Sequence, residues 1–71
     1  MKEMTLTIEF EQEEDGRWLA EVLELPGALA YGQTSAEAVA KAQALALRVL
    51  ADRLEHGENA QELVNISFAA A

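Results

Sequence analysis

Residues 23–38 constrain the fold more than any other stretch, because sixteen residues end one hydrophobic pattern and begin another: Leu-Glu-Leu-Pro-Gly-Ala-Leu-Ala-Tyr-Gly-Gln-Thr-Ser-Ala-Glu-Ala. Pro26 is the only proline of the chain, and Gly27 follows it. Proline presets φ at the first corner of a turn and glycine accepts positive φ at the second, so the pair predicts a tight turn. Gly32 closes the short segment after it. Thr34 is then placed as a helix N-cap, its hydroxyl set to accept from the amide of Glu37 while the Glu37 carboxylate reaches back to the amide of Thr34. Strands therefore precede this stretch, one short strand lies inside it, and a helix leaves it.

Upstream, residues 5–12 alternate, with Leu6, Ile8 and Phe10 on one face and Thr5, Thr7, Glu9 and Glu11 on the other, the pattern of a half-buried strand. Residues 17–25 form the second strand, and its two faces are Trp18, Ala20 and Val22 or Leu19, Glu21 and Leu23. A three-residue loop of Glu14, Asp15 and Gly16, with Gly16 left-handed, pairs Glu13 with Arg17 and sets Phe10 against Ala20 and Ile8 against Val22. That register predicts a core of Leu6, Ile8, Phe10, Trp18, Ala20 and Val22. It also sets Glu9 against Glu21, a like-charge pair that costs about a few tenths of a kcal/mol or more. Leu19 and Leu23 lie beside this acidic strip. Scattered exposed leucines, a second copy of the chain or a foreign partner bringing apolar and basic groups would each fit such a face.

Residues 28–31 read as a short third strand, with Tyr31 packing and its hydroxyl at the surface. The helix runs from 35 to about 56, where Gly57 suits a left-handed C-cap and Arg53 and His56 suit the negative end of the dipole. Its polar side chains Glu37, Lys41, Arg48, Asp52 and Glu55 gather on one narrow face, with Glu37–Lys41 and Arg48–Asp52 as i,i+4 pairs. The apolar arc exceeds half the circumference. It centres on Val39, Ala42, Ala46, Val49 and Leu50, with Ala38 and Leu45 on one edge and Ala36, Leu47 and Leu54 on the other. One small sheet covers less than that, so a flank of the helix is expected to meet a second subunit. After a polar linker at 57–62, residues 63–68 alternate again as a fourth strand, and 69–71 are expected to fray. The order β-β-β-α-β predicts an α+β, two-layer fold, an antiparallel sheet packed on one long helix, as a single domain over 1–71.

The charge is strongly negative, with thirteen acids against five bases and a net charge of −8. Residues 1–32 hold eight of the acids and only two of the bases, Lys2 and Arg17, so −6 of the net −8 lies in that part of the chain. Such a field repels phosphate backbones and attracts basic surfaces, which disfavours direct nucleic-acid binding; plain solubility is the simplest use of it. A chain of 71 residues holds about 3–5 kcal/mol of net stability, so a homodimer or higher homo-oligomer is expected. There is no cysteine, no apolar signal region at the start and no stretch near the roughly 20 apolar residues that span a bilayer, so a cytoplasmic location without membrane contact is expected.

Nothing in the pattern assembles a catalytic centre. The single histidine, His56, falls at the predicted helix end, eleven residues before Ser67, where the dipole already accounts for it. The acids Glu11, Glu13, Glu14 and Asp15 lack the spacing of a calcium loop, and Gly16 marks them as a hairpin. Gly27 and Gly32 are spaced by turns and do not form a phosphate-cradling loop. No catalytic residue, metal site or cofactor is expected.

From the first hairpin onward, Glu14-Asp15-Gly16, then Trp18-Leu19-Ala20-Glu21-Val22 and Glu24-Leu25-Pro26-Gly27, then Tyr31-Gly32-Gln33-Thr34-Ser35-Ala36-Glu37-Ala38 resemble the HicB family of bacterial toxin–antitoxin antitoxins. The likeness lies in the ordered succession of turns and caps and spans about residues 8–50. It implies a partial RNase H-like β-β-β-α-β domain, which in that family binds and masks a small basic mRNA interferase of double-stranded-RNA-binding type. Full antitoxins of this kind add a C-terminal helix-turn-helix or ribbon-helix-helix domain for operator DNA. The residues after the fourth strand leave no room for one, so the resemblance implies a short form without it. Likeness to RNase H does not carry nuclease activity. The expected partner-facing residues are Glu9, Glu11, Leu19, Glu21 and Leu23. The competing expectation is a self-associating orphan domain with a regulatory or scaffold role and no toxin partner.

Overall fold

The hairpin at Gly16 sets the register of the sheet. In the computed structural model, which describes residues 2–57 and 63–71, Gly16 has φ of 92°. Its N–H donates to the Glu13 carbonyl at 3.0 Å, and the Glu13 N–H donates to the Arg17 carbonyl at 2.7 Å. β1 (Lys2–Gln12) and β2 (Trp18–Val22) are therefore antiparallel, with Phe10 opposite Ala20 and Ile8 opposite Val22, as the turn length predicts. Asp15 clamps the loop, accepting from the Arg17 N–H at 3.0 Å and from Arg17 Nε at 2.7 Å. Those bonds, the backbone one foremost, hold the Asp15 carboxyl below the usual carboxylate range.

β2 ends at Val22, short of the predicted 25, because the chain turns twice there. The Leu25 N–H donates to the Val22 carbonyl at 3.1 Å and the Ala28 N–H to the Leu25 carbonyl at 2.9 Å, around Pro26 and a Gly27 with φ of 93°. Glu24 finishes the ladder where backbone can no longer do so. Its carboxylate accepts the Thr7 N–H and the Thr7 hydroxyl, each at 2.7 Å, and these two donors, the N–H first, depress its pKa. The returning strand, β3 (Leu29–Gly32), pairs antiparallel with β2.

α1 (Ser35–His56) begins and ends as its capping residues dictate. Thr34 Oγ1 accepts from the Glu37 N–H at 3.1 Å. The Glu37 carboxylate does not return to Thr34 as expected; it accepts from the Gln33 N–H at 3.3 Å and from Lys41 Nζ at 3.2 Å, one residue further out on the incoming chain. These bonds, the Lys41 one foremost, lower the Glu37 pKa. Gly57 closes the helix with φ of 67°. In the last turn His56 Nδ1 donates to the Asp52 carbonyl at 2.8 Å and lies 3.2 Å from the Asp52 carboxylate, so Asp52 pairs with His56 and not with Arg48 as expected.

The sheet is mixed, in the order β3-β2-β1-β4, and this corrects the antiparallel expectation: β4 (Leu63–Ala70) runs parallel to β1. Two antiparallel steps return β3 to the direction of β1. The helix then carries the chain back to the starting end, and β4 must leave in that same direction. The overall class is α+β, a four-stranded mixed sheet with one helix. The predicted linker at 57–62 falls, beyond Gly57, outside the described residues. Ala69 and Ala70, expected to fray, are paired with Thr7 and Ile8, and the Ala71 N–H donates to the Ile8 carbonyl at 2.8 Å.

The core joins Leu6, Ile8, Ala20 and Val22 of the sheet, Leu25 and Ala28 of the turn, and Ala38, Ala42, Ala46 and Leu50 of the helix. Alanine at every fourth helical position lets backbone approach backbone. At Gly32 the approach is closest, since a Cβ there would stand 2.6 Å from the Ala38 nitrogen. Two predicted core members differ. Trp18 only packs against the rim, and Phe10 is 44% exposed although it points to the helix side. The cause is that α1 lies over β3 and β2, reaches only part of β1, and leaves β4 outside its cover.

Candidate protein-binding face

The face of the sheet away from α1 is built by the pairing alone. One row runs Glu9–Glu21–Leu29 and the next Glu11–Leu19–Tyr31. Leu23 continues the face at the end of β2, where its N–H donates to the Thr7 carbonyl at 3.0 Å. All five residues expected to face a partner, Glu9, Glu11, Leu19, Glu21 and Leu23, thus lie on this one surface. The close contacts between acidic and basic side chains among the described residues are Asp15–Arg17, Glu37–Lys41 and Asp52–His56, and none includes Glu9, Glu11 or Glu21.

The third strand adds residues that the sequence reading missed. Leu29 and Tyr31, with Leu23, are between 41% and 45% exposed, and the Arg17 guanidinium sits 4.3 Å from the centre of the Tyr31 ring. Tyr31, expected to pack with its hydroxyl at the surface, lies on the outer face and packs against Arg17. The alternation Ala28, Ala30 against Leu29, Tyr31 carried the signal: the small residues had to be the ones beneath the helix. The resulting surface mixes carboxylates, leucines and one aromatic ring already engaged by a cation. A shallow hollow of about 30 Å³ between Glu9, Glu11, Leu19 and Glu21 is far below the roughly 300 Å³ at which small-molecule pockets begin, so it is too small to enclose a small molecule.

Elsewhere the groups with chemical potential are engaged separately. His56 is held by Asp52, and the Ser67 hydroxyl lies 3.3 Å from that of Thr5 across β1 and β4. Among the described residues no three His, Asp or Glu side chains group as metal ligands, and no helix is long and apolar enough to cross a membrane. No family model matches the chain, and no curated protein or solved structure matches it either.

Proposed function

We propose that the chain is a non-catalytic protein-binding module of the HicB-like, partial RNase H-like kind, acting in the cytoplasm by docking and masking a small basic mRNA interferase. The observation that carries this reading is the Glu9–Glu21 pair, two carboxylates directly opposed across β1 and β2 with no basic partner among the described residues. Folding gains nothing from that arrangement. A lysine- or arginine-rich surface laid over it turns a repulsion into charge-assisted bonds, while Leu19, Leu23, Leu29 and Tyr31 supply apolar contact around it. Acidic steering also speeds encounter with a basic partner and makes it sensitive to salt.

The test is co-expression with any small basic reading frame beside the gene. The expected result is rescue of growth and a complex that copurifies at low salt. Absence of any such frame, or a frame whose product is neither toxic nor bound, sinks the proposal. A second reading, an orphan scaffold or regulatory domain that only self-associates, draws support from β4 and the part of β1 that the helix leaves uncovered.

A further inference from the structure

A four-stranded sheet with strands about 4.8 Å apart is about 19 Å wide, whereas one helix is about 10 Å across and covers two strands. Here α1 covers β3 and β2. Of the helix-side residues of the other half, Leu6 and Ile8 are buried, but Phe10 and Ile66 are left at the surface and Met4 and Phe68 at the margin of the core. Beside them a hollow of about 180 Å³ opens between the sheet and the helix, with Phe10, Phe68, Val39 and Gln43 in its lining. Leu47 and Leu54 follow Gln43 at one and three turns along that same helix flank. Phe10, Ile66, Leu47 and Leu54 are between 37% and 45% exposed.

The shape agrees. The radius of gyration is 13.0 Å, against about 11 Å for a self-contained chain of this length. The accessible surface is 4721 Å², against about 4,300 Å² for a monomer of this mass.

We infer that this corner is a self-association surface, on which a second copy of the chain brings its own helix flank over β1 and β4 and receives the same cover in return. The corner is self-complementary, an open half-sheet beside an unused helix flank, as a two-fold contact requires. Charge selects the copy over a foreign basic protein. Inward positions from Met4 to Phe10 and from Ile66 to Ala70, and the flank through Gln43, Leu47 and Leu54, carry no charged side chain. Two chains of net charge −8 can meet there without opposing their carboxylates, whereas a basic partner finds no counter-charge. The charged stripe from Glu37 to Glu55 stays on the other side of the helix. Size suffices as well: a strip about 26 Å long and about 20 Å across gives about 500 Å² per copy, the lower bound for a specific interface.

The inference holds whether or not a toxin is bound, and its failure is separable from that of the proposed function, because different residues test it. Sedimentation or light scattering of the full chain at micromolar concentration should give twice the monomer mass. Leu47→Glu and Ile66→Glu should each weaken association about tenfold or more while keeping the wild-type circular dichroism, with Leu54→Glu as the substitute if either fails to fold. Glu21→Lys, on the opposite face, should leave the dimer intact. A wild-type chain that stays monomeric overturns the inference, and so does a dimer that survives these glutamate substitutions.

Discussion

β2 carries two faces that alternate residue by residue and meet opposite fates. Ala20 and Val22 are completely enclosed and Trp18 packs on the rim, whereas Leu19 and Glu21 are half-buried and Leu23 stands in solvent. The inward residues are explained by the fold itself, since α1 needs small, apolar ground to settle on. The outward residues are not: exchanging Glu21 for a neutral or basic residue would improve the sheet. A strand whose inner face serves folding and whose outer face works against it points to a use outside the chain for the outer one.

That contrast can be broken from the inner side first. Leu50→Ala truncates the largest of the helix's buried side chains and should cost about 2–5 kcal/mol, as much as a domain this small holds in total. Urea titration should find it unfolded or nearly so. Gly32→Ala forces a methyl group toward the Ala38 backbone and should cost about 1–3 kcal/mol in the same assay. On the outer side the sign reverses. Glu21→Lys replaces a like-charge pair with an attractive one and should raise the urea midpoint by the equivalent of about 0.2–1 kcal/mol. If it destabilises instead, the outer face is structural after all.

The smallest effect is set by pH. The carboxyls of Asp15, Glu24 and Glu37 are held below their ordinary values in the folded chain. A depressed carboxyl contributes stability above its unfolded pKa and loses it as pH falls through the folded one. Stability should therefore decline from about pH 4.5 downward, and Glu24→Gln should flatten part of that acid limb in thermal melts taken across the range.

Much of this architecture was legible in the residues. Gly16 fixes the loop length, the loop length fixes the register, and the register brings Glu9 to Glu21 and all five expected residues to one face. Thr34 and Gly57 bound the helix to the residue. What stayed hidden depends on contacts distant in sequence. Nothing within 63–68 encodes the direction of β4, which follows from the helix that returns the chain. Phe10 has the period of a core residue, and period names a face without saying whether another layer lies above it. The same holds for Leu47 and Leu54, which extend the apolar arc beyond what one sheet covers. Leu29 and Tyr31 stand in a legible alternation with Ala28 and Ala30, but which of the two faces is the inner one follows only from the helix that needs small residues beneath it.

The most direct measurement is binding of the proposed partner, any small basic protein encoded beside the gene, by the wild-type chain and by the Glu9→Gln/Glu21→Gln double variant, titrated with salt. The outer-face reading predicts wild-type affinity that falls steeply as salt rises, and a double variant about tenfold weaker or more with a melting temperature equal or higher. Equal affinity for the two chains, insensitive to salt, would contradict it.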